Sequence, residues 1–175
     1  MRKSRMLLAT VVLTATLAVG TGSAGADGTS VVASASGGSV FDIHDMFGFE
    51  LIEVQPFTFT AQVRADGSVS GKYLYRTVDD GVPFLARGPL TCAVIEGNRA
   101  WLGGVIEKSS DSSIEGLEMW FQVADNGEPG ADESPDMTTL IGAGGPGTAQ
   151  DYCDRAPEPM FPFFLEHGNI QVRSS

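Results

Sequence analysis

Three sets of residues in this chain are of types suited to chemistry, although Gly127, Pro129 and Pro135 take the acidic set away from the helix-loop-helix calcium spacing. Cys92 and Cys153 are its two cysteines. Asp125, Asn126, Glu128, Asp132, Glu133 and Asp136 crowd one stretch and offer the hard oxygen atoms that calcium takes as ligands. Phe57, Phe59, Tyr73, Tyr75, Trp101, Trp120 and Phe121 are large aromatics that could line a cavity for a small apolar ligand. Catalytic patterns are weaker. Gly67-Ser68-Val69-Ser70-Gly71 carries its serines one place off a nucleophile elbow, and inside an expected hairpin. The glycines of 142–147 are followed by no lysine that would hold phosphate. With 22 acidic residues any fold brings some carboxylates together, and nothing in the spacing selects a hydrolytic pair.

The chain's start says where such chemistry would take place. Arg2, Lys3 and Arg5 precede an apolar run from Met6 to Val19, and Ala24-Gly25-Ala26 has the small-x-small pattern of a signal peptidase site. The run is shorter than the ~20 residues of a membrane-spanning helix. We therefore expect residues 1–26 to be a signal peptide, 27–38 a flexible leader or ragged first strand, and 39–175 one domain, secreted and extracellular. In that compartment two cysteines pair as a disulfide, here closing a loop of about 60 residues. A zinc site would need His44 and His167, and neither stands at ligand spacing from a cysteine.

The signal takes three of the 11 basic residues and none of the 22 acids, which leaves eight against 22, a net charge of −14. That field repels phosphate, so nucleic acid and anionic membrane are not expected partners. The expected state is a monomer without cofactor, calcium being the metal that the acidic stretch would take.

The elements that would position these residues are strands. Phe57, Phe59, Ala61 and Val63 alternate with Thr58, Thr60, Gln62 and Arg64, the period of a strand with one dry face. Pro56 closes the ambiguous stretch before it. A three-residue loop with Gly67 left-handed sets Val63 against Val69, Phe59 against Tyr73 and Phe57 against Tyr75. A slip of one residue would turn the apolar set outward. A second hairpin turns at Gly97-Asn98 and sets Glu96 opposite Arg99, Val94 opposite Trp101 and Cys92 opposite Gly103. Both of its faces are apolar, so it should be covered on both sides, with Gly103 leaving room for a disulfide.

Further strands are expected over 117–124, 137–141 and 169–172. Thr148 to Asp151 fits a short helical turn, capped by the Thr148 hydroxyl. The expectation is an all-β, antiparallel, barrel-like domain of about eight strands and one helical turn, with a β-sandwich as the alternative. Met160 to Leu165 is unusually apolar and should pack across the barrel or lid its mouth.

Gly88-Pro89-Leu90-Thr91-Cys92, Gly97-Asn98-Arg99-Ala100-Trp101 and Gly103-Gly104-Val105 together resemble a family of small secreted bacterial proteins without an assigned role. Asp125-Asn126-Gly127-Glu128, Gly147-Thr148-Ala149 with Tyr152-Cys153, and Gly168-Asn169-Ile170-Gln171-Val172 are similar to the same family. The likeness runs from Phe57 to Val172. It implies a single exported β-domain and a Cys92–Cys153 bridge, and it brings no catalytic residue. The expected function is thus a non-catalytic extracellular binding or structural domain. A small hydrophobic-ligand carrier is second, and a carboxylate hydrolase third.

Overall fold

The computed structural model describes residues 28–43, 52–79, 81–127, 134–165 and 167–174. The expected signal, His44, Glu128, Asp132 and Glu133 lie outside the described residues. Alternation decides the first half of the fold. Phe57, Phe59, Ala61 and Tyr73 are buried, while Thr58, Thr60, Gln62, Lys72 and Arg76 are exposed. These residues belong to β2 (Ile52–Arg64) and β3 (Val69–Asp79), paired with Phe59 opposite Tyr73 and Val63 opposite Val69. Gly67, at φ 81°, sits left-handed in the connecting loop.

β1 (Val31–Ile43) lies beside β2. The stretch read as a leader or ragged first strand is therefore strand from Val31 onward. Pro56 does not end an element. It lies inside β2, where the register to β3 shifts between Val54 and Thr58, an irregularity that accommodates a residue without a backbone donor. β4 (Val82–Glu96) begins earlier than the sequence suggests. Its first half pairs β3 across the Gly81 turn, and its second half pairs β5 (Arg99–Val105). In the second hairpin Glu96 faces Arg99, Val94 faces Trp101 and Cys92 faces Gly103.

The remaining strands are β6 (Lys108–Ser109), β7 (Glu118–Ala124), β8 (Met137–Thr139), β9 (Gly142–Gly144), β10 (Pro162–Phe164) and β11 (His167–Ser174). The main order is β10-β8-β7-β5-β4-β3-β2-β1-β11, every pairing antiparallel. This one sheet curls into a half-barrel, with eleven strands among the described residues where about eight were expected. The additional ones are short, two or three residues each, or lie at proline and glycine positions that mask a strand pattern. α1 (Thr148–Arg155) is longer than the expected turn and lies over the outer face of β4 and β5. No helix among the described residues is long and apolar enough to cross a membrane.

Candidate functional site

The concave side of the sheet is filled by its own aromatics. Phe57 and Phe121 meet edge to face with ring centres 4.8 Å apart, and Phe59 and Phe121 do so at 5.5 Å. Tyr75 bridges Phe57 at 6.3 Å and Phe84 at 6.1 Å. Burial raises the Tyr73 hydroxyl above its ordinary pKa, and that hydroxyl donates to the Val105 carbonyl. A space of about 160 Å³ remains at one end, bordered by Tyr75, Phe84, Ile106, Met119 and Ile141. Trp101 and Trp120 are not part of this interior. They alternate along their strands with Leu102 and Phe121, so they point to the opposite face. The Trp101 indole N–H donates to the Pro157 carbonyl at 2.8 Å. Trp120 packs against Tyr152, ring centres 6.0 Å apart, beside a cleft of about 330 Å³ reaching Met160 and Phe161. Burial pushes the Tyr152 hydroxyl up to about 12. The seven aromatics therefore divide between two faces and do not converge on one pocket.

The acidic stretch holds the barrel's seam. Asp136 is buried, and its Oδ2 accepts from the Ile170 N–H at 2.6 Å while Oδ1 accepts from the Asn126 N–H at 2.8 Å. Asp125 Oδ2 accepts from the Val172 N–H at 2.9 Å, and Oδ1 from the Gly127 N–H at 3.1 Å. Ile170 and Val172 are alternate residues of β11, so the two carboxylates receive the N–H row of a strand that ends the sheet. The Asn126 amide donates to the Pro135 carbonyl and tightens the same loop. All four carboxylate oxygens are thus engaged with backbone. Among the described residues no group of three or more His, Cys, Asp or Glu side chains could hold a metal ion.

The disulfide joins sheet and helix. Cys92 and Cys153 are bonded, with Cα atoms 6.3 Å apart. A Cβ at Gly103 would lie 2.6 Å from the Cys92 sulfur and 2.9 Å from the Ala149 Cβ, so only glycine lets α1 sit this close. The helix cap differs from the expected one. Gly147 is the cap residue, left-handed at φ 89°, and the Thr148 hydroxyl instead donates back to the Gly145 carbonyl. Glu118 of β7 takes over the role across the sheet, its Oε2 accepting from the Ala149 N–H at 2.8 Å. Backbone hydrogen bonds from Gly147 and Ala149 lower its pKa.

A depression of about 560 Å³ lies on the outer face of β1 to β4. Lys72, Arg76 and Arg87 rise around it with Ser36, Thr58 and Thr60, over a floor made by Leu74 and Leu85. Leu74 stands opposite Thr58 on one side and Arg87 on the other. These residues were not singled out from the sequence. The available signal was charge: residues 54–95 carry four cations and three acids in a chain that is otherwise strongly acidic.

Comparison with known proteins gives no match to a family model, to a curated protein or to a solved structure. The resemblance therefore rests on its quoted residues. The described ones among them fall on the β4–β5 hairpin, the disulfide, and the Asp125–β11 seam.

Proposed function

We propose that this chain is an exported, non-catalytic binding domain that works through the outer face of its sheet. The observation that supports this is the distribution of space. The interior is occupied by packed aromatics, while a depression of about 560 Å³ lies outside, on β1 to β4. Its lining of cations and hydroxyls suits recognition, and its volume falls in the range of small-ligand sites.

A carrier of small hydrophobic molecules is the second reading, favoured by the apolar space of about 160 Å³ beside Tyr75 and Met119. That is close to an engineered apolar cavity of about 150 Å³ that takes benzene. Native mass spectrometry of the protein purified from culture medium, with and without calcium, separates the two. The expected mass is that of the chain from Asp27, less the two hydrogens of the disulfide. An apolar adduct that persists through purification would overturn the outer-face reading for the carrier. A calcium-dependent mass increase would give the acidic stretch a role beyond the seam.

A further inference from the structure

The depression on the outer face of β1 to β4 is charged against the trend of the chain, for its lining holds Lys72, Arg76 and Arg87 and no acid. After residue 26, the sequence outside 54–95 holds four cations and 19 acids, whereas 54–95 holds Arg64, Lys72, Arg76 and Arg87 against Asp66, Asp79 and Asp80. Asp66 sits at a hairpin tip, where its carboxylate accepts from the Ser68 N–H. No ion pair joins Lys72, Arg76 or Arg87 to a described residue. All three are exposed.

Their spacing follows from the register. Lys72 pairs Pro89, Leu74 pairs Arg87, and Arg76 pairs Leu85. Arg87 is therefore the diagonal neighbour of both other cations, at about 7–8 Å, and Lys72 and Arg76 stand about 13 Å apart on one strand. Like charges so placed repel, and the repulsion is relieved when anionic groups enter between them. Beside the cations runs a second row. Ser36 pairs Thr60, and Thr60 pairs Lys72, so hydroxyls border the cations along the depression. Leu74 and Leu85 give its floor an apolar strip.

Nucleic acid strands are held by aromatic stacking together with cations. Here the two aromatics bordering the depression, Phe59 and Tyr73, are buried on the other side of the sheet. A row of hydroxyls beside a row of cations, over a narrow apolar floor, suits a sugar chain bearing acid groups. Its acids meet Lys72, Arg76 and Arg87, its hydroxyls meet Ser36, Thr58 and Thr60, and its C–H faces rest on the leucines. We propose that the outer face of β1 to β4 binds an acidic oligosaccharide. This rests on the outer-face reading and names its ligand class.

The test is calorimetric titration of the disulfide-bonded chain from Asp27 with a galacturonate hexamer, against neutral maltohexaose and phosphatidylglycerol vesicles. The hexamer should bind at least about tenfold more tightly than maltohexaose, and the vesicles should not bind. K72A, R76A and R87A should each weaken hexamer binding by about five- to tenfold, and K72E/R76E/R87E should abolish it with an unchanged melting temperature. R155A is the control. That arginine lies on α1, paired with Asp151 at 2.7 Å, and its loss should leave binding unchanged. Absence of hexamer binding, equal binding of the neutral sugar, binding to vesicles instead, or full binding by the triple variant would each overturn the ligand class. Failure of the outer-face reading itself looks different: a purified adduct that the triple variant retains.

Discussion

The two halves of this sheet share one interior and treat their outer faces in opposite ways. On β5 and β7 the outward residues Trp101, Gly103 and Gln122 are buried beneath α1 and the chain that follows it. On β2 and β3 the outward residues Thr58, Thr60, Lys72 and Arg76 are exposed. Both halves obey the same period of two, so packing against the interior does not explain the difference. What differs is a second layer, held by a disulfide, a Glu118 cap and a tryptophan hydrogen bond. The covered half is closed. The open half keeps a polar face whose depression is lined by three cations and no acid, and that makes it the place to look for a ligand.

The contrast breaks most severely if the covered half is uncovered. The double variant Cys92→Ser, Cys153→Ser releases a loop of about 60 residues and should lose about 4 kcal/mol. Denaturant melts would read this, and hydrogen exchange should rise first in α1 and then in β4 and β5. Hexamer affinity on the open half should stay the same. An unchanged midpoint would mean that side-chain packing, and not the covalent link, holds the second layer.

Much of this division is visible in the residues. Phe57 to Arg64 alternates cleanly because one face meets water, and Cys92 to Ile95 with Ala100 to Leu102 is apolar on both faces because both are at least partly covered. The registers of both hairpins follow from that patterning and from Gly67 and Gly97. The start of β4 is harder to read. Val82-Pro83-Phe84-Leu85 and Gly88-Pro89 carry prolines and glycines that normally punctuate, yet β4 tolerates them. A Cβ at Gly88 would collide with the Val105 backbone, so that glycine serves close strand approach, not a turn. The seam was not legible at all. Asp125 and Asp136 meet β11 across 47 and 34 residues, and nothing local distinguishes a carboxylate that will bond backbone from one that will bind a cation.

The seam gives the next largest effect. Asp136→Ala leaves the Ile170 and Asn126 N–H groups without their acceptor, and at 5 % exposure water cannot replace it freely. The expected loss is about 3 kcal/mol. Asp136→Asn should recover only part of this, since an amide accepts at one position and turns a donor toward the other N–H. If Asn restored full stability, one of the two bonds would be dispensable. Because the seam belongs to the barrel and not to the second layer, exchange should rise in β11 while α1 stays protected, the reverse of the disulfide variant.

Glu118 separates the halves by pH. Its folded pKa lies below its ordinary value because Gly147 and Ala149 donate to its carboxylate. A depressed folded pKa contributes stability in full above the ordinary carboxyl value, near pH 4.3, and loses it as pH falls through the folded value. Glu118→Gln should therefore lower stability at neutral pH, by well under about 1 kcal/mol because solvent screens the carboxylate. The gap to the parent should close as the solution is acidified below that ordinary value. A gap constant with pH would mean that the side chain acts by packing and not by its charge.

The smallest effect tests the open half. Arg87 is exposed, unpaired with any described acid, and diagonal to two further cations. Replacing it with Gln removes like-charge repulsion and keeps a polar side chain, so the expected change is a gain of a few tenths of a kcal/mol, greatest at low salt. On the covered half Glu118 and Arg99 each have partners, the Arg99 guanidinium donating to Glu158 at 3.1 Å. A variant that is slightly more stable and binds the acidic hexamer less well would mean that the cation is kept for its ligand at the fold's expense. If Arg87→Gln instead lost more than about 1 kcal/mol, well outside the range of surface substitutions, the cation would belong to the fold, and the two outer faces would differ in cover alone.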